Sequence, residues 1–378
     1  MKVDGEKLAK IEAALKKTGY ILEREVADLL ETFKWSVISN RYYIDSITKA
    51  PRELDILAYK TFIHMEIRHY FVLIISCKKS ESKDWIFLTK PTRVTDPNFV
   101  AVPQLIWTNS AILKVTGTIE KVQDAIIEKS KIDSEFSDIF GIESNVYAFQ
   151  EVSIGSSKPQ NDKPIYSSID SLLMAANYEL MSIREKKKED VVYHFNMLTV
   201  FEGEMYEALI TGDQPKVRSI DHAKYVNRFI VNNDDSFYRL HFCTKTKLPE
   251  ILYEFDRLYE FEQEKITENI EEFVSSFLEN DLYRNAFREE ICNALSSYFT
   301  YLLQDFTNSE KTKIDDIWLE NEQDPVALAI EIYTSQDVID VFNESKLLTI
   351  KTQDALKHYC RYEGPFTYKV LKYNDELF

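Results

Sequence analysis

Residues 72–80 read VLIISCKKS, an apolar run that ends in two lysines. Four consecutive apolar residues predict a buried β-strand. Side chains two apart on a strand share a face, so we expect Ser76 and Lys78 to point to one side and Cys77 to the other. Because Lys78 ends a strand of buried character, we interpret it as a site residue. Cys77 is then a small core residue whose backbone carbonyl stays available as a ligand.

The sequence before this strand predicts helices followed by two further strands. Residues 6–33 predict one or two helices, divided at Gly19, because Leu22, Val26 and Leu30 recur at helical spacing. Strands are expected over 35–44 and 54–58, with a polar turn over 45–51. Helices that precede strands in this way indicate an α/β or α+β fold with a central mixed sheet.

The whole sequence predicts three domains. An N-terminal core is expected over 1–155, a mixed α/β region over 165–246 and a mostly helical acidic domain over 247–378, with the polar stretch 155–164 as a boundary. The elements expected along it are strands at 100–106, 111–115 and 366–371, helices at 119–130, 166–188 and 248–306, and hairpins over 194–210, turning at Glu202-Gly203, and over 228–242.

The charge is distributed unevenly along the chain. Its net value is −17, yet residues 1–100 hold 17 Lys and Arg against 14 Asp and Glu, a balance of +3. Residues 247–378 hold 13 against 28, a balance of −15. Binding to phosphates needs local positive potential, so only the N-terminal part is expected to contact DNA or RNA. The acidic C-terminal helices are expected to be solvated or to meet a protein partner.

Several function classes are excluded at this stage. The longest apolar run, 71–75, is too short to span a bilayer, and the charged N-terminus predicts no secretion signal. The four cysteines are scattered without zinc-ligand spacing, which favours a reducing cytoplasm. No glycine-rich phosphate loop is present, which argues against nucleotide hydrolysis.

Acidic residues stand at two places before the lysine strand. Glu23 begins a helix, and Glu53 and Asp55 lie in the short strand 54–58 or next to it. A hard divalent ion needs oxygen ligands, and it can polarise a phosphate and lower the pKa of a bound water. A lysine beside it can position that water and stabilise negative charge on the phosphate. These residue types together are therefore typical of phosphodiester hydrolysis.

The order of these motifs resembles the PD-(D/E)xK nuclease superfamily, the restriction-endonuclease-like proteins. That family has a helix glutamate, then an aspartate in one strand, then an acidic residue, any residue and lysine in the next. The similarity is closest to uncharacterised bacterial members of restriction-endonuclease type. The positions here are Glu23, Asp55 and Ser76-Cys77-Lys78, with Tyr42-Tyr43-Ile44-Asp45 and Arg52-Glu53-Leu54-Asp55 in the same order. The resemblance covers about residues 19–90 and extends more weakly to 200–206.

The resemblance implies a set of site residues and a cofactor. Asp55, Lys78 and Glu23 are the expected catalytic residues. Mg²⁺ or Mn²⁺ is expected to bind Asp55, Glu53, the Cys77 backbone carbonyl and Ser76. Lys79 and Arg52 are expected to contact nucleic acid.

The sequence departs from the family at Ser76, where the family has a carboxylate. A neutral hydroxyl is a weak ligand, so divalent binding is expected to be weakened. Glu23, Glu53, Glu66 or Glu81 are the candidates to replace the missing charge, with Glu53 first.

Two functions stay open. In the first, the protein is a divalent-metal-dependent nuclease that acts on DNA in restriction or phage defence. In the second, the nuclease fold has lost its chemistry and binds a protein partner, or a second copy of itself, through the acidic C-terminal helices.

Overall fold

Several of the predicted helices and strands are present in the structure, and others differ from the prediction. The computed structural model describes residues 5–45, 48–92, 105–132, 136–141, 144–156, 158–186, 189–212, 214–231, 234–307, 314, 316–323, 326–332 and 336–370. Its helices are α1 Gly5–Leu15, α2 Tyr20–Thr32, α3 Ala111–Val115, α4 Thr118–Ile132, α5 Ser137–Phe140, α6 Lys163–Lys186, α7 Leu248–Ser276, α8 Asp281–Asn285, α9 Arg288–Thr307, α10 Gln336–Glu344 and α11 Lys346–Cys360.

The strands form three sheets. They are β1 Ser36–Ile44, β2 Pro51–His64, β3 Ile67–Lys79, β4 Lys83–Pro91, β5 Leu105–Thr108, β6 Ser144–Ser153, β7 Val191–Glu202, β8 Met205–Thr211, β9 Gln214–Ile220, β10 His222–Val231, β11 Asp234–Thr244, β12 Ile317–Gln323, β13 Val326–Ile332 and β14 Phe366–Val370. The largest sheet has seven strands in the order β1-β2-β3-β7-β11-β10, with β5 paired to β7. The predicted α+β fold with a central mixed sheet is confirmed.

The apolar stretch at residues 72–75 makes β3 an interior strand of this sheet. β3 pairs with β2 in the antiparallel sense, with Ile56 opposite Ile75. It pairs with β7 in the parallel sense, with Ser76 opposite Thr199, and β7 is parallel to β11. Because the carboxyl ends of parallel strands meet at one edge, Lys79 lies beside Glu202 there.

The two N-terminal helices divide at Gly19, as the sequence predicts. α2 buries Leu22, Val26, Ala27 and Leu30 and packs on β1, β2 and β3. These positions form one apolar stripe at helical spacing, so the exposed face of α2 carries the charged residues between them. The stripe fixes the rotation of the helix and therefore where Glu23 points.

The chain divides into two units by its internal contacts. The first comprises Met1–Asn109 with Glu120–Glu264, and the second comprises Ser110–Ile119 with Lys265–Phe378. This division differs from the three predicted domains, because β3 and β7, from the expected N-terminal core and the expected middle region, are neighbours in one sheet. The second boundary falls inside α7, after Glu264, and not at residue 247.

The predicted hairpin over residues 194–210 is wrong. β7 lies in the seven-stranded sheet, whereas β8 lies in a four-stranded sheet of order β6-β4-β8-β9. Gly203 makes this change of sheet possible, since an added Cβ would meet the Phe201 ring at 2.5 Å and the Ser80 carbonyl oxygen at 3.2 Å. The Trp85 ring stacks on Phe201 with centroids 4.0 Å apart and fills the corner.

Three further predictions, the strands at 111–115 and 100–106 and the hairpin at 228–242, have different outcomes. The strand expected at 111–115 is wrong, because these residues form the helix α3; a five-residue apolar run has no clear period. Of the strand expected at 100–106, residues 100–104 lie outside the described residues, and 105–108 form β5. The hairpin over 228–242 is confirmed as β10 and β11.

The second unit is not purely helical. Besides the C-terminal part of α7 and the helices α8 to α11, it contains the three-stranded sheet β12-β13-β14. The strand expected at 366–371 is confirmed over Phe366–Val370. Its core is aromatic, with Phe299 and Phe342 rings 5.1 Å apart and both packed on Tyr368. Over the described residues, none of the helices combines the length and apolar character needed to span a membrane.

Three histidines, His69, His194 and His241, are buried in the core of the first unit. His69 is 1% exposed and His241 is 2% exposed. Burial lowers the pKa of His69, although the neighbouring Glu262 carboxylate, 3.5 Å away, acts in the opposite direction. Burial, together with the charges of His222 and Arg239, brings the pKa of His241 well below its usual range. The imidazoles of His69 and His241 are therefore neutral in the folded protein at neutral pH.

We expect acid to destabilise the first unit through His69 and His241. The unfolded chain takes up protons on them below about pH 6.5, whereas the folded protein does not, so the free energy of unfolding falls as the pH falls. Of the two, His241, whose pKa lies well below its usual range, contributes most, on the order of 1 kcal/mol between pH 7.5 and 5.5. Urea unfolding followed by tryptophan fluorescence measures this slope. His241→Gln should reduce it and the exposed His358→Gln should not; equal slopes in both variants would refute the assignment.

Candidate functional site

Asp55 accepts two hydrogen bonds and forms one ion pair at the carboxyl end of β3. The Cys77 backbone N–H donates to its Oδ2 at 2.7 Å and the Ser76 hydroxyl donates to the same oxygen at 3.2 Å. The Lys78 ammonium lies 3.7 Å from this oxygen. β2 pairs with β3 only as far as Ile75, so beyond that point the Asp55 side chain takes the place of a β2 backbone acceptor. The Asp55 side chain thus continues the hydrogen bonding of β3 beyond the last residue pair with β2.

Glu23 lies within electrostatic reach of Asp55. Partial burial in the first turn of α2 raises the pKa of Glu23, and the nearby charges of Asp55 and Glu53 raise it further. Lys78 and a hydrogen bond from the Asn40 side chain act in the opposite direction. The structure therefore pairs Lys78 with Asp55, and Glu23 lies near enough for the charges of Asp55, Glu53 and Lys78 to shift its pKa. Carboxylates gathered in this way repel one another until a cation is bound.

Ser76 occupies the position where the resemblance described above leads us to expect an acidic residue. Its side chain is 1% exposed and its hydroxyl is engaged with Asp55. Over the described ranges, no three Asp, Glu, His or Cys side chains are arranged as a metal-binding group. The site would offer a cation the carboxylates of Asp55 and Glu23, together with neutral oxygens such as the Ser76 hydroxyl and the Cys77 carbonyl.

Cys77 acts through its backbone. Burial, followed by the charges of Asp55 and Glu23, raises the pKa of its thiol well above its usual range, so the sulfur stays protonated. The N–H and C=O of one strand residue point to the same side, and the Cys77 N–H is directed at Asp55. Its carbonyl oxygen therefore faces the Asp55 side of β3, as a ligand there must.

The two residues expected to contact nucleic acid lie apart from this cluster. Lys79 alternates with Lys78 along β3 and pairs with Glu202 at 3.2 Å. Arg52 pairs with Asp45 at 2.6 Å. Each cation is engaged by a carboxylate, so a phosphate would have to compete with that partner.

The other carboxylates that could replace the missing charge at position 76 differ in where they lie relative to Asp55. Glu53 is exposed but close enough to Glu23 to shift its pKa. Glu66 lies in the turn between β2 and β3, at the opposite end of these strands, and Glu81 pairs with Lys79 at 3.8 Å. Of the four candidates, Glu23 and Glu53 are the ones that the structure brings near Asp55.

Asn40 is the contributor that the sequence patterns do not indicate. It lies inside β1, and its side chain acts to lower the pKa of Glu23. An asparagine in the middle of a predicted strand is unusual, because this residue is depleted in strands. That compositional anomaly is the signal that could have identified it.

A polar pocket of about 410 Å³ lies elsewhere in the first unit. Its lining includes Glu207, Arg218 and His222 and none of the expected site residues. Burial alone would raise the pKa of Glu207, but hydrogen bonds from Ser144, Arg218 and Thr89 outweigh burial and lower it. Glu207 is thus an ionised carboxylate with its own set of donors, which accounts for its burial.

Comparison of the chain with models of protein families, with curated protein sequences and with solved structures finds no match. The geometry around Asp55 is therefore the basis for any functional assignment.

Proposed function

We propose that the first unit is a divalent-metal-dependent phosphodiesterase that cuts DNA. The observation that carries this proposal is the Lys78–Asp55 ion pair at the carboxyl end of β3, with Glu23 near enough for both charges to shift its pKa. In the order of these elements along the chain, the helix carries the glutamate, β2 the aspartate and β3 the lysine. This is the order implied by the resemblance to restriction-endonuclease-like nucleases.

The residues fit Mg²⁺ or Mn²⁺ as a weak site. Asp55, Glu23 and the Cys77 carbonyl would supply oxygen ligands, with Glu53 and the Ser76 hydroxyl nearby, and hard divalent ions select oxygen. Burial is the main cause that raises the pKa of Glu23, and the charges of Asp55 and Glu53, which raise it further, are the repulsion that a cation would relieve. When bound, such an ion polarises the scissile phosphate and activates a water. With a hydroxyl where nucleases have a carboxylate, affinity is expected to be low.

The chain's own residues have separable tasks in this proposal. Asp55 is held rigidly by the Cys77 N–H and the Ser76 hydroxyl, so its remaining oxygen has a fixed direction. Lys78 stays beside Asp55 and can stabilise negative charge that develops on a phosphate. Its side chain is 31% exposed, which leaves it accessible to a ligand from solvent.

DNA is the proposed substrate because residues 1–100 carry the chain's excess of positive charge, +3 against −17 overall. Restriction or phage defence in the cytoplasm is the setting that the resemblance suggests. RNA is the alternative substrate, and cleavage assays on both polymers compare the two.

One observation favours a second candidate function, a nuclease fold that has lost its chemistry and serves as a binding module. One oxygen of Asp55 already accepts from Ser76 and Cys77, so the aspartate is stabilised without a cation. A carboxylate at position 76 would instead add repulsion that only a metal relieves. In this alternative, the acidic helices of the second unit bind a protein partner or a second copy.

We expect the purified protein to nick plasmid DNA in the presence of Mn²⁺ or Mg²⁺. Lys78→Met should slow this cleavage about a hundredfold or more, because the ammonium group that stabilises negative charge on the phosphate is lost. Lys79→Met is the matched control, since the neighbouring lysine pairs with Glu202 and its loss should change the rate only a few-fold. Cleavage rates on plasmid, single-stranded DNA and RNA give the readout. A wild-type protein that neither cuts nor binds Mn²⁺ by calorimetry would support the binding module.

A further inference from the structure

The strand β7 changes its neighbour along one edge, opposite the edge that β3 occupies. β5 pairs with it in the antiparallel sense from Val192 to Phe195, and β11 pairs with it in the parallel sense from Met197 to Phe201. Asn196 is the residue between these two pairings. Because two strands that approach from opposite directions share this edge, we expect a gap in the hydrogen bonding of the sheet beside Asn196.

A small cavity lies at this position, within the first unit. The space open to the centre of a water molecule is about 10 Å³, and the walls come from β5, β7, β11 and Phe140 of α5. A single buried water needs roughly 10–15 Å³ of such space and two to four polar partners. The cavity therefore has room for one water molecule. Its polar lining residues are His194, Asn196, Tyr238, Arg239 and His241.

Two buried polar atoms at the cavity have no hydrogen-bond partner among the residues that the structure describes. They are Nε2 of His194, which is 1% exposed, and Nδ2 of Asn196, which is 8% exposed. The two side chains share a face of β7, because they are two residues apart. Buried polar groups in folded proteins nearly always have a partner, either in the protein or in an ordered water.

The contact of His194 with α7 determines what a ligand in the cavity must do. Nδ1 of His194 lies 2.7 Å from Oε1 of Glu262, and both side chains are 1% exposed. Burial alone would raise the pKa of Glu262, but its contacts with His194 and His69 outweigh burial and lower it, so the carboxylate can only accept. With the hydrogen of a neutral His194 on Nδ1, Nε2 is an acceptor, whereas Nδ2 of Asn196 is a donor.

We propose that the cavity binds one structural water molecule, which accepts a hydrogen bond from Nδ2 of Asn196 and donates one to Nε2 of His194. A halide ion could accept but not donate, and a cation would face the amide hydrogens and the Arg239 guanidinium. The water fills the gap between β5 and β11 and completes a polar chain from Asn196 through His194 to Glu262 on α7. This water site is independent of the proposed nuclease activity.

The direct test is a crystal structure of the full chain at a resolution that shows ordered water. We expect density for one water molecule within hydrogen-bond distance of both His194 Nε2 and Asn196 Nδ2. Asn196→Leu, whose side chain has a similar size but no amide, should lose this density. A wild-type cavity without density, or an occupant that contacts only one of the two atoms, overturns the proposal.

Unfolding in urea tests the same site in solution. Once Asn196→Leu has displaced the water, Nε2 of His194 has no partner to lose, so His194→Phe should lower the urea midpoint less in that background than in the wild type. Thr199→Val is the matched control, because Thr199 lies on β7 but bonds Ser168; the effect of His194→Phe should be the same with and without it. Equal effects of His194→Phe in the wild type and in Asn196→Leu would contradict a shared water. If His194→Phe does not fold, the wild-type crystal structure decides.

Discussion

Asp55→Asn is expected to cut DNA at least about a thousandfold more slowly than the wild type, with Mn²⁺ affinity reduced to background. The substitution keeps the size of the side chain and an oxygen that can accept from the Cys77 N–H. It removes the charge at the point where Glu23 and Lys78 converge. Because a divalent ion contributes several kcal/mol to the stabilisation of a phosphoryl transition state, the loss should be near complete.

The measurement is the rate of plasmid nicking at saturating Mn²⁺, paired with calorimetry. Asp28→Asn serves as control, since Asp28 lies on the exposed face of α2 and pairs with Arg24. That variant should cut and bind as the wild type does. Undiminished cutting by Asp55→Asn would remove Asp55 from the mechanism, and with it the proposed site.

Ser76→Glu is expected to raise Mn²⁺ affinity ten- to a hundredfold and to increase cleavage. It places a carboxylate on the same face of β3 as Lys78, where nucleases of the resembled family have one. The added charge is next to Asp55, so repulsion destabilises the metal-free protein while a bound cation gains a ligand. The urea midpoint should therefore fall without metal and recover when Mn²⁺ is added.

Ser76→Gln is the matched control, because it has the same shape without the charge. It should lose the hydrogen bond to Asp55 and gain no affinity. Ser76→Asp is a smaller version for this buried position, which is 1% exposed. Cleavage that appears in Ser76→Glu and is absent from the wild type would identify the natural protein as the non-catalytic binding module. Equal metal affinity in the Glu and Gln variants would contradict the proposed cation position.

Local pattern was sufficient for the elements that build the site. The stripe of Leu22, Val26 and Leu30 marks α2, and the apolar run before Ser76 marks β3, because burial selects apolar side chains at the spacing of each element. The five-residue run at 111–115 was misinterpreted because a segment so short has the same composition in a strand and in a helix.

Local sequence patterns could not predict which strands from distant parts of the chain pair with one another. Residues on either side of Gly203 have strand character and a turn between them, which is what a hairpin looks like in sequence. Whether β8 folds back on β7 or joins β4 depends on Trp85, more than 100 residues earlier in the chain, which stacks on Phe201 at that corner.

The sequence by itself determined α2, β2 and β3, the elements that carry the site, and the chemical character of the candidate residues, since these depend on side chains a few positions apart. Only the tertiary structure decided that Glu23 and Lys78 meet at Asp55, that Ser76 donates to that aspartate and that Arg52 is engaged by Asp45. The reason is physical: strand register and helix rotation are set by the burial of whole faces, so the neighbours of a charged side chain are fixed by apolar residues far from it.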